Sequence, residues 1–196
     1  MSKKTIAYSD PPYLGCGKLY PEHPDALSFD DPETHRRLIE RLSDEFDGWV
    51  LHTHVRGWRV FERNGWLPSD VRICGWFKSF AAFKRNVSVA YAWEPVIIRA
   101  ARKPAVSKRM IYRDFKEVPD SIKCPITLKK GTPGAKPPPV VLWGIELMGS
   151  HYGDKLEDMF PGTGIVSATW ESWKLLFRAS ETLAGPEIPA ELCSTT

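Results

Sequence analysis

One stretch of this sequence has the residue types that most clearly suggest chemistry. It consists of Asp10, Pro11, Pro12 and Tyr13. Residues 3–9 predict a short strand, and two consecutive prolines must end it because each lacks an N–H donor and has a fixed φ. The Asp10 carboxylate is thereby placed at the carboxyl end of a strand, where open α/β sheets bind their ligands. A carboxylate, a rigid backbone and an aromatic ring at such a place could form a reaction centre. Asp-Pro-Pro is equally an ordinary turn sequence, and the tetrapeptide alone does not decide between the two interpretations.

A second stretch of this kind, DMFPGTG at residues 158–164, lies near the other end of the chain. Residues 154–160 predict a strand and residues 165–177 predict a helix, so the glycines fall in the turn between them. Glycine has no side chain to keep a ligand away from the backbone, and a helix N-terminus presents unpaired N–H groups. The pattern indicates a turn that a ligand can approach closely.

The elements that must position these two stretches alternate between strands and helices. Asp31 and Pro32 predict the start of a helix, which carries an apolar stripe and ends at Asp47 and Gly48. An order of strand, helix, strand, connection, strand and strand is typical of an α/β fold. The other predicted elements are strands at residues 48–54, 71–78 and 92–99, a short helix or irregular connection at 57–66, and an apolar helix that follows the prolines at 137–139 and ends near Gly149.

The composition is that of one folded domain. The chain has 196 residues, of which 42% are hydrophobic and 12% aromatic, and this is enough for a sizeable core. No run of about 18 apolar residues predicts a membrane span, and no apolar signal region follows the first lysines, so we expect a cytoplasmic location. The four cysteines are too scattered for a disulfide framework or a zinc site. His52 and His54 could share one face of a strand, but no third ligand accompanies them, so we expect no metal site.

Positive charge is concentrated in one part of the chain. The net charge is only +3, but between residues 78 and 136 the lysines and arginines far outnumber the acids. Residues 100–135 also show no hydrophobic periodicity and are richer in proline, which predicts an inserted recognition segment. A locally basic segment suits a polyanion such as nucleic acid, and an ordinary solvated face is the alternative. The candidate contacts with nucleic acid are Lys84, Arg85, Arg102, Lys103, Lys108, Arg109, Lys129 and Lys130.

The two stretches together resemble the amino-methyltransferases of DNA, which use S-adenosylmethionine. Residues 10–13 are similar to the catalytic Asp-Pro-Pro-Tyr motif of that family, and residues 160–164 are similar to its Phe-x-Gly-x-Gly cofactor motif. The catalytic motif comes first, which is the order of the beta class, with the target-recognition region in between. Lys136 and Pro137 resemble the Lys-Pro pair that precedes the cofactor-side helix of the family. The similarity covers roughly residues 3–178 and is greatest to small DNA methylases encoded by phages.

This resemblance implies a Rossmann-like α/β methyltransferase domain over residues 1–180, with a target-recognition insertion at about 100–135 and a loose tail at 181–196. Its implied activity is methyl transfer from S-adenosylmethionine to an exocyclic base amine of DNA, adenine N6 in preference to cytosine N4. The implied catalytic residues are Asp10, Pro11, Pro12 and Tyr13, and the implied cofactor residues are Asp158, Phe160, Gly162, Thr163, Gly164, Lys136 and Pro137.

The sequence departs from the family after the Gly-rich turn. Family members continue into a strand that ends in an acid, which binds the ribose hydroxyls, whereas residues 178–196 predict no strand. Glu171, Glu181 and Glu187 are available, but none sits at a clear strand end. Many relatives also carry a small residue where Pro161 stands. We therefore expect a shortened cofactor half.

A shortened cofactor half leaves several outcomes open. The chain could hold the cofactor with fewer contacts, a partner such as a second copy in a homodimer could complete the site, or methylation could be lost. The alternative function is a non-catalytic protein of the same fold that binds nucleic acid or a partner protein. A methyltransferase for RNA or another amine is a third interpretation, since a fold and a cofactor motif do not set the substrate.

Overall fold

The computed structural model describes residues 2–82, 88–104, 117–126 and 135–183 of the chain. No helix in these ranges has both the length and the apolar character that a membrane span requires. The strands are β1 (Thr5–Ser9), β2 (Gly48–His52), β3 (Arg72–Ala82), β4 (Tyr91–Arg99), β5 (Ser121–Lys123) and β6 (Lys155–Asp158). The helices are α1 (Pro32–Glu45), α2 (Val55–Arg63), α3 (Pro138–Leu147) and α4 (Ile165–Leu183), and two short 3-10 helices span Gly17–Leu19 and Ala26–Asp30.

The described strands form one mixed sheet in the order β5-β3-β4-β2-β1-β6. β1 lies between β2 and β6 and is parallel to both, whereas β4 is antiparallel to β2 and to β3. The short β5 pairs in parallel with β3 at one edge. Ile6, Ala7 and Tyr8 on β1 are fully buried, as a parallel strand with helices on both faces must be. The predicted α/β architecture is confirmed.

Helices cover both faces of this sheet. On one face Tyr8 packs in a core cluster with Trp143 of α3, and residues of α4 belong to the same cluster. On the other face Trp49 packs with Leu42 of α1 and Phe61 of α2. Full burial of one large apolar side chain stabilises a fold by about 1.5–3 kcal/mol, so these two clusters hold β1 firmly in the centre of the sheet.

α3 packs closely against β1. A β-carbon on Gly144 would lie only 3.0 Å from Cε2 of Tyr8, so a larger residue here would require a shift of a few tenths of an ångström. Pro138 occupies the first turn of α3, where its missing N–H costs nothing. This packing brings the residues that precede α3, including Lys136, to the carboxyl edge of the sheet.

Local sequence signals set the starts of α1 and α2. The Asp31 carboxylate accepts a hydrogen bond from the Glu33 N–H at 3.0 Å, and Pro32 is the first helical residue, as predicted. At α2 the Nδ1 of His54 accepts a hydrogen bond from the Gly57 N–H at 3.0 Å. The strand predicted over residues 48–54 therefore ends early, at His52, because His54 caps α2. The connection predicted at 57–66 is largely this regular helix.

Three other parts of the chain differ from the prediction. Ser121–Lys123 forms β5 within the segment predicted as an irregular insertion, because its backbone pairs with β3. The loop predicted at residues 14–30 contains both 3-10 helices. α4 continues to Leu183 and so extends into the predicted tail at 181–196, the rest of which lies outside the described residues.

Candidate active site

The structure brings the two sequence motifs to the ends of neighbouring strands. β1 and β6 are parallel partners, with Tyr8 opposite Asp158 in the register. The N–H of Met159 donates a hydrogen bond to the Tyr8 carbonyl at 3.0 Å, which extends the pairing past the end of β6. Asp10 follows directly after β1, and Phe160 comes two residues after the end of β6. The two motifs therefore share the carboxyl edge of the sheet.

Comparison with known proteins finds a similar fold in solved structures. No family model and no curated protein matches the sequence. The chain is similar to the crystal structure of the M1.HpyAVI–SAM complex, with a TM-score of 0.51 and 15% sequence identity over 92% of this chain and 89% of that chain. It is also similar to the crystal structure of M1.HpyAVI, with a TM-score of 0.49 and 14% identity over 94% and 89% of the two chains. The chain has a Rossmann-like methyltransferase fold. The predicted resemblance is thus confirmed for the fold.

Lys136 binds the carboxylate that the sequence places at the end of β1. Its Nζ lies 2.7 Å from Oδ1 and 2.8 Å from Oδ2 of Asp10. The Lys136 side chain is 5% exposed and that of Asp10 is 22% exposed. The same ammonium lies 5.2 Å from the ring centroid of Tyr13 and 5.9 Å from that of Trp76. Lys136 was predicted to flank the cofactor together with Pro137. The structure places its ammonium on Asp10, and the cofactor contact stays a prediction.

Glu94 is a site residue that the sequence analysis missed. Its Oε2 accepts a hydrogen bond from the Tyr13 hydroxyl at 2.9 Å, and its Oε1 binds the ammonium of Lys78. The ring of Tyr13 also lies 5.6 Å from the ring of His54. These contacts fix the orientation of Tyr13. The available signal was an acid next to Pro95 in an otherwise apolar strand, since a half-buried acid needs a charged partner.

The charges of Asp10, Lys136 and Glu94 depend on one another. Burial raises the pKa of Asp10, and the Lys136 ammonium opposes this rise only in part, so the pKa stays above its ordinary value. Burial acts to lower the pKa of Lys136, but the carboxylates of Asp10 and Glu94 outweigh it and the pKa is raised. Burial acts to raise the pKa of Glu94, but Lys136 and Lys78 outweigh it and the pKa is lowered. Lys136 and Glu94 are therefore charged at neutral pH.

Asp158 and the Gly-rich turn form the other half of the site. Oδ1 of Asp158 accepts a hydrogen bond from the Phe160 N–H at 3.3 Å, while its buried Oδ2 has no partner within the described ranges. Burial raises the pKa of Asp158; the Phe160 N–H opposes this, and the charge of Asp10 adds to it. The influence of Asp10 on Asp158 shows that the two motifs share one electrostatic environment.

The glycines of the turn adopt backbone conformations that other residues avoid. Gly162 has φ of +40° and Gly164 has φ of +73°, in the region that favours glycine. Apart from its neighbours in the chain, no atom of the described residues lies within 4 Å of the point that a β-carbon on Gly164 would occupy. Thr163 is exposed between them, and Phe160 packs its ring against Phe29 at 5.4 Å. The turn therefore offers open space next to the start of α4.

A groove of about 300 Å³ runs beside β6. β6 supplies Lys155, Leu156 and Asp158 to its lining, and α4 supplies Trp170 among others. In the order of the described strands β6 lies at the edge of the sheet. The groove therefore lies between this edge strand and α4 and includes Asp158 in its lining.

The two histidines considered as a metal pair have other partners. His52 is fully buried, and its Nε2 is hydrogen-bonded to the Tyr8 hydroxyl at 2.7 Å. Burial lowers its pKa, and the nearby Lys136 lowers it further, so His52 is neutral. His54 caps α2. Among the described residues, no three His, Cys, Asp or Glu side chains are grouped as metal ligands.

The residues predicted to contact nucleic acid are only partly described. Nη1 and Nη2 of Arg102 donate hydrogen bonds to the Asp154 carboxylate, at 2.6 and 2.8 Å. This arginine therefore also fixes the residue just before β6. Lys103 is exposed. Their roles in nucleic-acid binding stay predictions. The other six, which are Lys84, Arg85, Lys108, Arg109, Lys129 and Lys130, lie outside the described residues.

Proposed function

We propose that this protein is an S-adenosylmethionine-dependent DNA amino-methyltransferase that methylates adenine at N6. The observation that carries the proposal is the position of Asp10 and of residues 158–164 at the carboxyl ends of two neighbouring parallel strands. A methyl group passes only between substrates that are held side by side, and two motifs at one edge of the sheet support such an arrangement. The M1.HpyAVI structure with the same fold was solved with SAM, which supports the same cofactor here.

The residues of the turn fit S-adenosylmethionine. The unpartnered buried oxygen of Asp158 could accept a hydrogen bond from the ammonium of the methionine moiety. The open space at Gly164 and the groove that reaches Asp158 leave room for a ligand beside the backbone. When bound, S-adenosylmethionine supplies an activated methyl group. The task of Asp158, Gly162 and Gly164 is to hold it beside the acceptor motif.

Asp10 would act on the acceptor amine. The lone pair of an exocyclic amine is delocalised into the base, which makes the nitrogen a poor nucleophile. A carboxylate oxygen of Asp10 and the carbonyl of Pro11 would accept the two amine hydrogens and favour a more tetrahedral nitrogen. Proline fixes φ, so the direction of the Pro11 carbonyl is set before the base arrives. Lys136 opposes protonation of this carboxylate, and a charged acceptor makes the stronger hydrogen bond.

Tyr13 would hold the base in place. A base inside a duplex cannot reach the methyl donor, so it must leave the stack. Stacking on an aromatic ring returns about 1–3 kcal/mol per base. The ring of Tyr13 is oriented by the hydrogen bond from its hydroxyl to Glu94, and the backbone before it is stiffened by Pro11 and Pro12. Such a fixed platform suits a reaction that depends on in-line positioning.

A second candidate is a non-catalytic nucleic-acid-binding protein of the same fold, for which the basic segment at residues 78–136 would supply the contacts. This candidate predicts salt-sensitive DNA binding without methyl transfer. A methyltransferase for RNA predicts methylated nucleosides in RNA instead.

Mass spectrometry of nucleosides tests the proposal. DNA and RNA are isolated from cells that express the wild-type chain, the Asp10→Ala variant or no protein, in a host that lacks adenine methylation. We expect N6-methyladenine in the DNA of the wild-type culture alone. Methylcytosine in its place would change the assigned base, and methylation in RNA alone would change the substrate. Unmodified nucleic acids in the presence of soluble wild-type protein would contradict the proposal.

A further inference from the structure

α2 presents three arginines on one face. Arg56, Arg59 and Arg63 follow one another at spacings of three and four residues, which align side chains along a helix. All three are exposed. Within the described part of the chain none of them forms an ion pair, and Glu62 is the acid of this helix. The result is a stripe of positive charge that faces solvent.

Four other arginines in the described residues are held by carboxylates. Arg36 and Arg41 on α1 pair with glutamates of their own helix, and Arg41 also binds Glu157. Arg99 binds Asp70, and Arg102 binds Asp154. An arginine that is not held by a carboxylate keeps its planar fork of donors for another oxyanion, and phosphate has the matching geometry.

The arginine stripe begins beside the acceptor motif. His54, which caps α2, lies with its ring 5.6 Å from the ring of Tyr13. The Nη1 of Arg56 lies 3.9 Å from the point that a β-carbon on Gly15 would occupy, two residues after Tyr13. A nucleic-acid strand that placed a base on Tyr13 would therefore have its backbone close to α2.

A group of aromatic rings packs beside α2. Trp58 of α2 lies 6.5 Å from Trp93 on β4. Trp93 stacks on Phe77 of β3 with ring centroids 6.2 Å apart and an interplanar angle of 25°. Phe77 is 46% exposed. Proteins hold unpaired nucleic acid by combining cations, which bind the phosphates, with exposed rings, on which the bases stack.

We propose that α2 and the Phe77–Trp93 stack form the docking surface for the DNA strand that carries the target base. Arg56, Arg59 and Arg63 bind its phosphates, and Phe77 receives an unstacked base that flanks the one on Tyr13. The inference rests on the proposed function for its choice of DNA. It adds a cationic surface outside the basic segment at residues 78–136, in which the sequence analysis had placed all the contacts with nucleic acid.

The salt dependence of DNA binding separates phosphate contacts from other effects. The triple variant R56Q/R59Q/R63Q is compared with R36Q/R37Q/R41Q, which removes the same charge from α1. Binding of a fluorescent mixed-sequence DNA, single-stranded and duplex, is measured between about 50 and 200 mM salt. Each lost phosphate contact reduces the slope of log K against log salt by about 0.7–0.9. For the α2 variant we expect the magnitude of the slope of log K against log salt to fall by about 2–3. We expect the α1 variant to keep the wild-type slope.

Phe77→Ala tests the stacking half of the surface, with Leu175→Ala as the control because Leu175 is also an exposed apolar residue. Loss of one stacked base predicts about 5- to 150-fold weaker binding to single-stranded DNA. The salt slope is expected to remain that of the wild type, and Leu175→Ala is expected to bind as the wild type does.

The outcomes distinguish this docking surface from the proposed function. If the wild type binds and methylates DNA but the α2 and α1 variants lose the same slope, the docking surface is refuted and the function stands. If Phe77→Ala binds like Leu175→Ala, its stacking role is refuted. If the folded wild type binds no DNA even at about 50 mM salt, both the function and the docking surface are refuted.

Discussion

The Lys136 ammonium lies 2.7 and 2.8 Å from the two carboxylate oxygens of Asp10, although 126 residues separate the two in sequence. The pair links the end of β1 to the start of α3. It gives Asp10 a counter-charge where burial alone would favour the neutral acid. Replacing Lys136 should therefore change the pH dependence of methyl transfer.

Lys136→Met is expected to move the acidic limb of the rate–pH profile to higher pH. The pKa of Asp10 is already raised by burial, and Lys136 opposes that rise. Without the ammonium the pKa rises further, so the carboxylate takes up a proton at a higher pH and is lost as an acceptor. Lys136→Arg keeps the charge and should keep the limb near its wild-type position. An unchanged profile in Lys136→Met would show that Asp10 does not depend on this lysine.

Glu94→Gln is expected to make stability less sensitive to acid. The pKa of Glu94 is lowered in the fold from its ordinary value of 4.5, so below about pH 5 the unfolded chain binds more protons at this group. The stability that the Glu94 charge provides is present above the ordinary pKa and is lost as the pH falls through the folded pKa. Urea unfolding at pH 7, 5 and 4 measures the unfolding free energy of each variant. The wild type should lose more unfolding free energy over that range than Glu94→Gln, and equal losses would contradict the assignment.

Asp158→Asn is expected to weaken the binding of S-adenosylmethionine and to leave DNA affinity unchanged. A hydrogen bond to a charged group contributes about 1.5–3 kcal/mol, so the dissociation constant should rise by about 10- to 150-fold. Glu157→Gln is the matched control, because Glu157 is the neighbouring acid on β6 and pairs with Arg41 at 3.2 Å. Titration calorimetry with both variants measures their dissociation constants for S-adenosylmethionine. Equal affinity in the two variants would remove Asp158 from the cofactor site.

Gly164→Ala and Gly65→Ala separate backbone strain from ligand binding. Gly164 has φ of +73° and Gly65 has φ of +66°, and a β-carbon at either position would meet no atom of the described, non-adjacent residues within 4 Å. Both variants should therefore lose a similar unfolding free energy, about 1–2 kcal/mol. Only Gly164→Ala should also weaken the binding of S-adenosylmethionine, since its methyl group would occupy the space of the ligand. Equal cofactor affinity in both variants would place the cofactor elsewhere.

Local signals in the sequence predicted the elements that they control directly. β1 ended just before Asp10 and the diproline, Asp31 and Pro32 began α1, and the glycines after Phe160 formed the turn before α4. β5 was missed because a three-residue strand is too short for a periodic pattern and depends on its pairing with β3. The cap at His54 was missed because an imidazole is an uncommon acceptor at a helix start.

Contacts between distant residues could not be predicted in the same way. Tyr13 and Glu94 are 81 residues apart, and their hydrogen bond depends on how β4 packs beside β2. The sequence analysis assigned Lys136 to the cofactor because of the Lys-Pro pair, whereas the position of α3 against Tyr8 brings it to Asp10. The stripe on α2 emerged only once residues 55–63 were known to be helical.

The joint action of Asp10 and the Gly-rich turn is tested most directly by transfer of a labelled methyl group in vitro. The purified chain is incubated with S-adenosylmethionine that carries a deuterated methyl group and with DNA that lacks modified bases, and the nucleosides are then analysed by mass spectrometry. We expect deuterated N6-methyladenine from the wild type and none from Asp10→Ala, while both bind S-adenosylmethionine. Equal product from Asp10→Ala would contradict the role of Asp10. No labelled nucleoside from a folded wild type that binds both substrates would contradict methyl transfer itself.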